Sequence, residues 1–203
     1  MQASNDMMVM MIISSEKIAE AVRVLREGGV VAHPTDTCYG LAADIKNPKA
    51  LQRLYELKGM AESKPVSILV SSMEMAQEYG VFSDLAMRFA RDFWPGALTL
   101  IVPRSSNVPD FLNSGVEGIG LRLVSEPFTV ALLEAFGGPL TTTSANAHGQ
   151  PSPYSVEEIS MVPDFILDGG TLNKDVLPST IISVEGKEAT VIRQGNLSIQ
   201  SLG

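Results

Sequence analysis

The chain has 203 residues, 45% apolar and 19% charged, enough for one domain around a sizeable core and unlike a disordered polymer. Its 15 basic and 23 acidic residues leave a net charge of −8, a poor basis for gripping long phosphate backbones, although local charge decides any groove. The one cysteine, Cys38, excludes an internal disulfide and any C-x-x-C pair, which suits a reducing cytoplasm.

The apolar run from Met7 to Ile13 is too short to span a bilayer and lacks a basic flank. It is predicted as a first strand. Ser15 is placed as the N-cap of a helix over Glu16–Glu27, with Ile18, Ala21, Val22 and Leu25 on one face. Gly28-Gly29 ends that helix and a strand follows at Val30.

Pro34-Thr35-Asp36-Thr37-Cys38-Tyr39-Gly40-Leu41 comes next. Pro34 cannot donate to a central ladder, so strand pairing is expected to stop there. In an open α/β sheet this is where ligands gather, outside the carboxyl ends of strands. The same residue types also make an ordinary Thr/Asp turn.

Asn47-Pro48 opens a second helix with Pro in its first turn, carrying Leu51, Leu54, Tyr55 and Lys58 on one face and ending at Gly59. Val66–Val70 is predicted as strand, and Met73–Tyr79 and Asp84–Phe93 as helices, each following a serine. Ala97–Val102 is an unbroken apolar strand and Gly118–Leu123 another, carrying Arg122. A helix over Phe128–Phe136 closes at Gly137-Gly138-Pro139, and a short strand over Leu140–Thr143 runs into Ser144-Ala145-Asn146.

A polar, Pro-rich loop from Ala147 to Tyr154 leads to a short acidic helix, then a strand around Phe165–Leu167. A final hairpin is expected from Ile181–Val184 and Ala189–Ile192 around Glu185-Gly186-Lys187. Hairpin and crossover connections together indicate one α/β domain with a mixed sheet.

Common catalytic fingerprints are missing. There is no G-x-x-x-x-G-K-[ST], no G-x-G-x-x-G after a strand and no G-x-S-x-G elbow. His33 and His148 have no metal-like spacing and read as surface or loop residues. Hydroxyl-rich strand ends and separated cations remain. Thr141–Asn146 supplies neutral donors with small Ala145 between them, a composition suited to holding an anion or simply a Thr-rich strand edge. Lys58 and Lys64 flank the Gly59 turn, and a lysine at a helix end is ordinarily a dipole partner. Arg122 lies mid-strand, where a buried guanidinium wants a carboxylate or phosphate. Pro178-Ser179-Thr180 and Arg193 add hydroxyls and another cation near the last hairpin.

In order, the stretches 34–41, 58–70, 120–123, 143–153, 179–181 and 192–195 resemble the YrdC family, the threonylcarbamoyl-AMP synthases. Pro-Thr-x-Thr-x-Tyr-Gly-Leu combined with Ser-Ala-Asn-x-x-Gly-x-Pro-Ser-Pro is specific, and the resemblance runs from about residue 15 to 196. It implies a single YrdC-like domain over residues 1–203, with a twisted mixed sheet, flanking helices and a concave, positively lined cleft. It also implies a nucleotidyltransferase that forms threonylcarbamoyl-adenylate and pyrophosphate from L-threonine, bicarbonate and ATP. The product would serve tRNA threonylcarbamoyladenosine modification in the cytoplasm.

Carried over by position, Thr37, Arg122, Thr142 and Ser179 are threonine-binding residues, with Arg122 on the substrate carboxylate. Lys64, Ser144, Asn146, Ser152 and Arg193 bind ATP, and Lys58 is catalytic. Mg²⁺ is expected on the triphosphate without a dedicated protein site. Further implied partners are tRNA and the transferase complex that consumes the adenylate, with no membrane. The alternative is a non-catalytic RNA- or nucleotide-binding relative. A carbamoyl-transfer module of the hydrogenase-maturation kind needs cysteine-rich zinc motifs that one cysteine cannot build.

Four positions depart from the family pattern. The usual Lys-x-Arg reads Lys58-Gly59-Met60, and Lys64 stands where Asn is common. Leu69 replaces a frequent histidine and Gly118 a hydroxyl residue. The chain stops at Gly203, so the extra domain of longer members is not expected.

Overall fold

The computed structural model describes residues 15–186 and 188–198. The strand predicted over Met7–Ile13 lies outside them. A helix, α1, covers residues 15–26, so Ser15 stands within the helix and not before it as its cap. The other helices are α2 (Pro48–Lys58), α3 (Met73–Tyr79), α4 (Asp84–Phe93) and α5 (Pro127–Phe136). Their ends follow the local chemistry. Asn47 caps α2 by accepting from the Lys49 and Ala50 amides, and Ser72 and Ser83 cap α3 and α4. Gly59 and Gly137 end α2 and α5 in the left-handed region, at φ 57° and 77°. The acidic helix is a single 3₁₀ turn, Val156–Glu158.

The strands are β1 (Val31–His33), β2 (Gly40–Ala42), β3 (Ser67–Val70), β4 (Leu98–Pro103), β5 (Gly118–Leu123), β6 (Leu140–Ser144), β7 (Phe165–Ile166), β8 (Thr180–Ser183) and β9 (Thr190–Arg193). They form one mixed sheet in the order β7-β1-β2-β6-β3-β5-β4-β8-β9. Sequence periodicity places the residues of β2 within the loop after Pro34, and the structure corrects this. Three residues starting at a glycine carry too little pattern, and the strand exists because it pairs with both β1 and β6.

Alternation along the strands separates two cores. Ile68 and Val70 of β3, Leu100 and Val102 of β4, and Leu121 of β5 join Leu54, Ala76 and Phe89 from α2, α3 and α4. Val31, Leu69 and Leu140 face the other way, toward Leu25 of α1 and Leu132 and Leu133 of α5. Leu69 is therefore core, not a stand-in for a site histidine. Along that second face the register continues past the helices: Leu69 pairs with Arg122 and Leu140, Ser67 with Thr142, and Thr99 with Ile181. Here the same side of the sheet turns polar. Among the described residues no helix is long and apolar enough to cross a membrane.

Candidate active site

That polar part of the face forms a cavity of about 170 Å³, lined by residues from β3, β4, β5, β6, β8 and β9 and from the β1–β2 turn. It lies on the open sheet face, not outside the strand ends, because Ser67, Thr99, Arg122 and Thr142 project from within the ladder. Pockets that enclose drug-sized ligands run to roughly 300–1,000 Å³. A cavity this size encloses something as small as an amino acid, and a nucleotide would extend beyond it.

The β1–β2 turn is organised by Thr35. Its Oγ1 accepts from the amides of Thr37 (3.1 Å) and Cys38 (3.2 Å) and donates to the Cys38 carbonyl (2.6 Å). Thr35 Oγ1 also lies 3.0 Å from the Thr37 hydroxyl. Thr37 Oγ1 in turn accepts from Arg122 Nη2 at 3.2 Å. Tyr39 leaves the turn in the opposite direction and donates to the Gly170 carbonyl at 2.7 Å. A Cβ at Gly40 would sit 3.1 Å from His33 Nε2, a tight contact that the imidazole would have to relieve by a few tenths of an ångström.

Arg122 is only 5% exposed and is held on two sides. Nε donates to the Gly96 carbonyl at 3.2 Å, and Nη2 makes an ion pair with Asp36 besides its bond to Thr37. Among the described residues Nη1 makes no hydrogen bond, and it is the one arm left for the cavity. The carboxylate partner that a buried guanidinium demands is therefore supplied by the protein, 86 residues away at Asp36. A substrate carboxylate would meet a single arm, not a fork.

On the far wall, Thr99 and Ser179 join through their hydroxyls at 3.0 Å. Arg193 reaches from β9 to the Ser179 carbonyl with Nε (3.1 Å) and Nη2 (2.7 Å), and to its hydroxyl with Nη2 (3.1 Å). Gly195 makes this possible, because a Cβ there would lie 2.1 Å from the Pro178 carbonyl oxygen. Cys38 also lines the cavity. Burial pushes its thiol up, against smaller opposing effects from Ser152, Arg122 and Thr37. It stays a neutral thiol and a poor nucleophile.

Thr37, Arg122, Thr142, Ser144, Ser179 and Arg193 all line this one cavity. Lys58, Lys64, Asn146 and Ser152 do not, but each is bound to a segment that does. Lys58 is 4% exposed and its ammonium donates to the carbonyls of Ser144 (2.6 Å) and Asn146 (2.9 Å). It fastens the end of α2 to the turn after β6. Burial pushes it down to about 8, so it remains charged at neutral pH. Asn146 Nδ2 donates to the carbonyls of Ala147 (3.2 Å) and Gln150, leaving Oδ1 buried and, among the described residues, without a partner. Lys64 Nζ contacts His148 Nε2. Ser152 lies beside the Cys38 thiol and favours its ionised form. Met60 packs against the core, and Gly118 sits against Glu185, its Cβ position 2.6 Å from Oε1.

Sequence reasoning passed over Asp36, Ser67 and Thr99. Reading Ala97–Val102 as unbroken apolar overlooks Thr99, whose hydroxyl within that run was the usable signal. Asp36 was inside the key motif but its partner could not be assigned. No group of three or more His, Cys, Asp or Glu residues suited to a metal ion occurs among the described residues.

Comparison with known proteins agrees with this architecture. Residues 23–195 match the Sua5/YciO/YrdC family model, described as "Telomere recombination". The threonylcarbamoyl-AMP synthase of Bacillus subtilis is 34% identical over 195 residues, 92% of this chain and 55% of that protein. That of Vibrio campbellii is 33% identical over 87% of this chain and 97% of its own length. The crystal structure of Pyrococcus abyssi Sua5 complexed with L-threonine superposes with a TM-score of 0.83 at 32% identity, over 88% of this chain and 54% of that one. The chain thus spans about half the length of some of the curated relatives it matches. With the family model covering most of its length and those relatives on either side of it, the chain belongs to the Sua5/YciO/YrdC family.

Proposed function

We propose that the chain is an L-threonylcarbamoyladenylate synthase, a nucleotidyltransferase acting on L-threonine, bicarbonate and ATP. The observation that carries this reading is the convergence of Arg122, Arg193 and the hydroxyls of Thr37, Thr142, Ser144 and Ser179 on one small cavity. Threonine fills the enclosed part. Its carboxylate takes the free Nη1 arm of Arg122, and the Thr37 hydroxyl meets a polar group of the substrate.

The free amine adds to CO₂ released from bicarbonate, and the proton it loses joins the hydroxide left by bicarbonate as water, giving a carbamate. A carbamate oxygen then attacks the α-phosphorus of ATP, and the bond to the β-phosphate breaks with its electron pair leaving on pyrophosphate. Charge grows on the phosphoryl oxygens, where Arg193 and the donors around Ser144 stabilise it by fixed position. Mg²⁺ accompanies ATP as part of the substrate. Lys58 acts as a positioning residue, holding Ser144 and the Asn146 turn that borders the nucleotide. No protein nucleophile is required, in keeping with the neutral Cys38 thiol. The threonylcarbamoyl group would then pass to tRNA through a separate transferase.

The test is pyrophosphate release from ATP. Release that requires both threonine and bicarbonate is expected, and release independent of threonine refutes the assignment. Salt-sensitive RNA binding without ATP binding would select the non-catalytic alternative instead.

A further inference from the structure

Asn113 commits its whole side chain to one distant backbone position. It is 3% exposed, in the loop between β4 and β5, with φ at 52°, a left-handed backbone that asparagine tolerates better than most side chains. Its amide faces Val66: Oδ1 accepts from the Val66 N–H at 2.9 Å, and Nδ2 donates to the Val66 carbonyl at 2.8 Å. Val66 directly precedes β3, whose ladder pairs begin at Ser67 with Thr142 and at Ile68 with Leu121. The Asn113 amide therefore extends the hydrogen bonding of β3 by one residue, from a point 47 residues away in the chain.

The loop that carries Asn113 is itself held. The Arg104 guanidinium donates to the carbonyls of Pro109 (2.8 Å), Leu112 (3.0 Å), Val108 (3.2 Å), Val116 (3.3 Å) and Asn113 (3.4 Å). The Arg104 amide donates to the Glu117 carbonyl at 2.9 Å, closing the loop against the start of β5. A loop tied this closely presents the Asn113 amide as a fixed template.

What the template holds is a wall of the cavity, since Pro65, Val66 and Ser67 all line it. Ser67 Oγ fills the space over Gly120, where a Cβ would collide with it, and Thr99 Cγ2 lies 3.4 Å from the same point. Gly120 shares a face of β5 with Arg122, and Ser67 is in register with Thr142. The Ser67 hydroxyl thus stands among Thr99, Thr142 and Arg122, in the enclosed part of the site.

We propose that Asn113 is a positioning residue for threonine: by fixing both polar groups of the Val66 backbone it aims the Ser67 hydroxyl into the cavity, and Ser67 is a further contact to the amino acid. This deepens the synthase reading and rests on it for the identity of the substrate.

Variants are assayed by pyrophosphate release and by thermal melting. Ser67→Ala removes the hydroxyl, and Asn113→Gly removes the amide while keeping a residue at ease in the left-handed region. Each is expected to raise the KM for threonine about fivefold, the loss of about one hydrogen bond, with the KM for ATP within about twofold of wild type. The double variant should be no worse than the more affected single one, because Asn113 acts through Ser67. Ser105→Ala loosens the same loop at its other end, where the hydroxyl donates to the Glu78 carbonyl, and should lower the melting temperature without moving either KM. An unchanged threonine KM in Ser67→Ala, an equal rise in the KM for ATP, additive effects in the double variant, or a matching KM rise in Ser105→Ala overturns the proposal and spares the synthase. Wild-type protein whose pyrophosphate release does not respond to threonine overturns both.

Discussion

Arg122→Lys separates the charge of this residue from its shape. The lysine keeps a cation within reach of Asp36, so the buried carboxylate is not stranded, the situation that costs about 3–5 kcal/mol when one partner is simply removed. It loses the donation to the Gly96 carbonyl and the fixed fork that also engages Thr37. Two such bonds at about 1 kcal/mol each lower stability by about 2 kcal/mol. For a chain of this size that corresponds to a melting temperature lower by roughly 4–8 °C. The functional loss is larger. Nη1 has no counterpart in lysine, and a charge-assisted hydrogen bond to the threonine carboxylate is worth about 1.5–3 kcal/mol, so the KM for threonine should rise about tenfold to a hundredfold. The KM for ATP should stay nearly constant. Pyrophosphate release against threonine concentration, paired with thermal melting, reads both effects. An unchanged threonine KM in a folded variant would show that charge alone matters and that the free arm does not touch substrate.

His33 governs a pH dependence of stability. It is fully buried, its Nδ1 must carry the proton because it donates to the Pro34 carbonyl at 3.1 Å, and burial pushes its pKa down to about 4. Since the unfolded chain binds that proton near the ordinary value, stability should fall as pH drops from about 6.5 to about 4, by up to about 3 kcal/mol. Denaturant melts of the wild type and His33→Gln across this range should differ in slope, and parallel slopes would contradict it. Gly195→Ala should distort the Pro178–Ser179 wall, because the added Cβ meets backbone at 2.1 Å, too close for any side-chain adjustment to relieve. A clear loss of thermal stability with a raised KM for threonine is expected; normal values for both would mean that the wall shifts freely.

The sequence by itself settled the helices and most strands. Asn47, Ser72 and Ser83 as caps, with Gly59 and Gly137 as stops, act within one turn of chain, so their signal is complete locally. It also supplied the chemistry, through the hydroxyl motifs and Arg122. Tertiary structure alone decided β2, which exists only through pairing on both sides, and the choice of sheet face that stays open. The Asp36–Arg122 ion pair and the Lys64–His148 contact were likewise invisible, since the first depends on which turn reaches β5 and the second on two loops meeting. Periodicity states that alternate residues of a strand face opposite ways; it does not state which helix covers which side. That is fixed by long-range register, where Leu69 beside Arg122 and Ser67 beside Thr142 turn one face from apolar core into a polar cavity within a single residue pair.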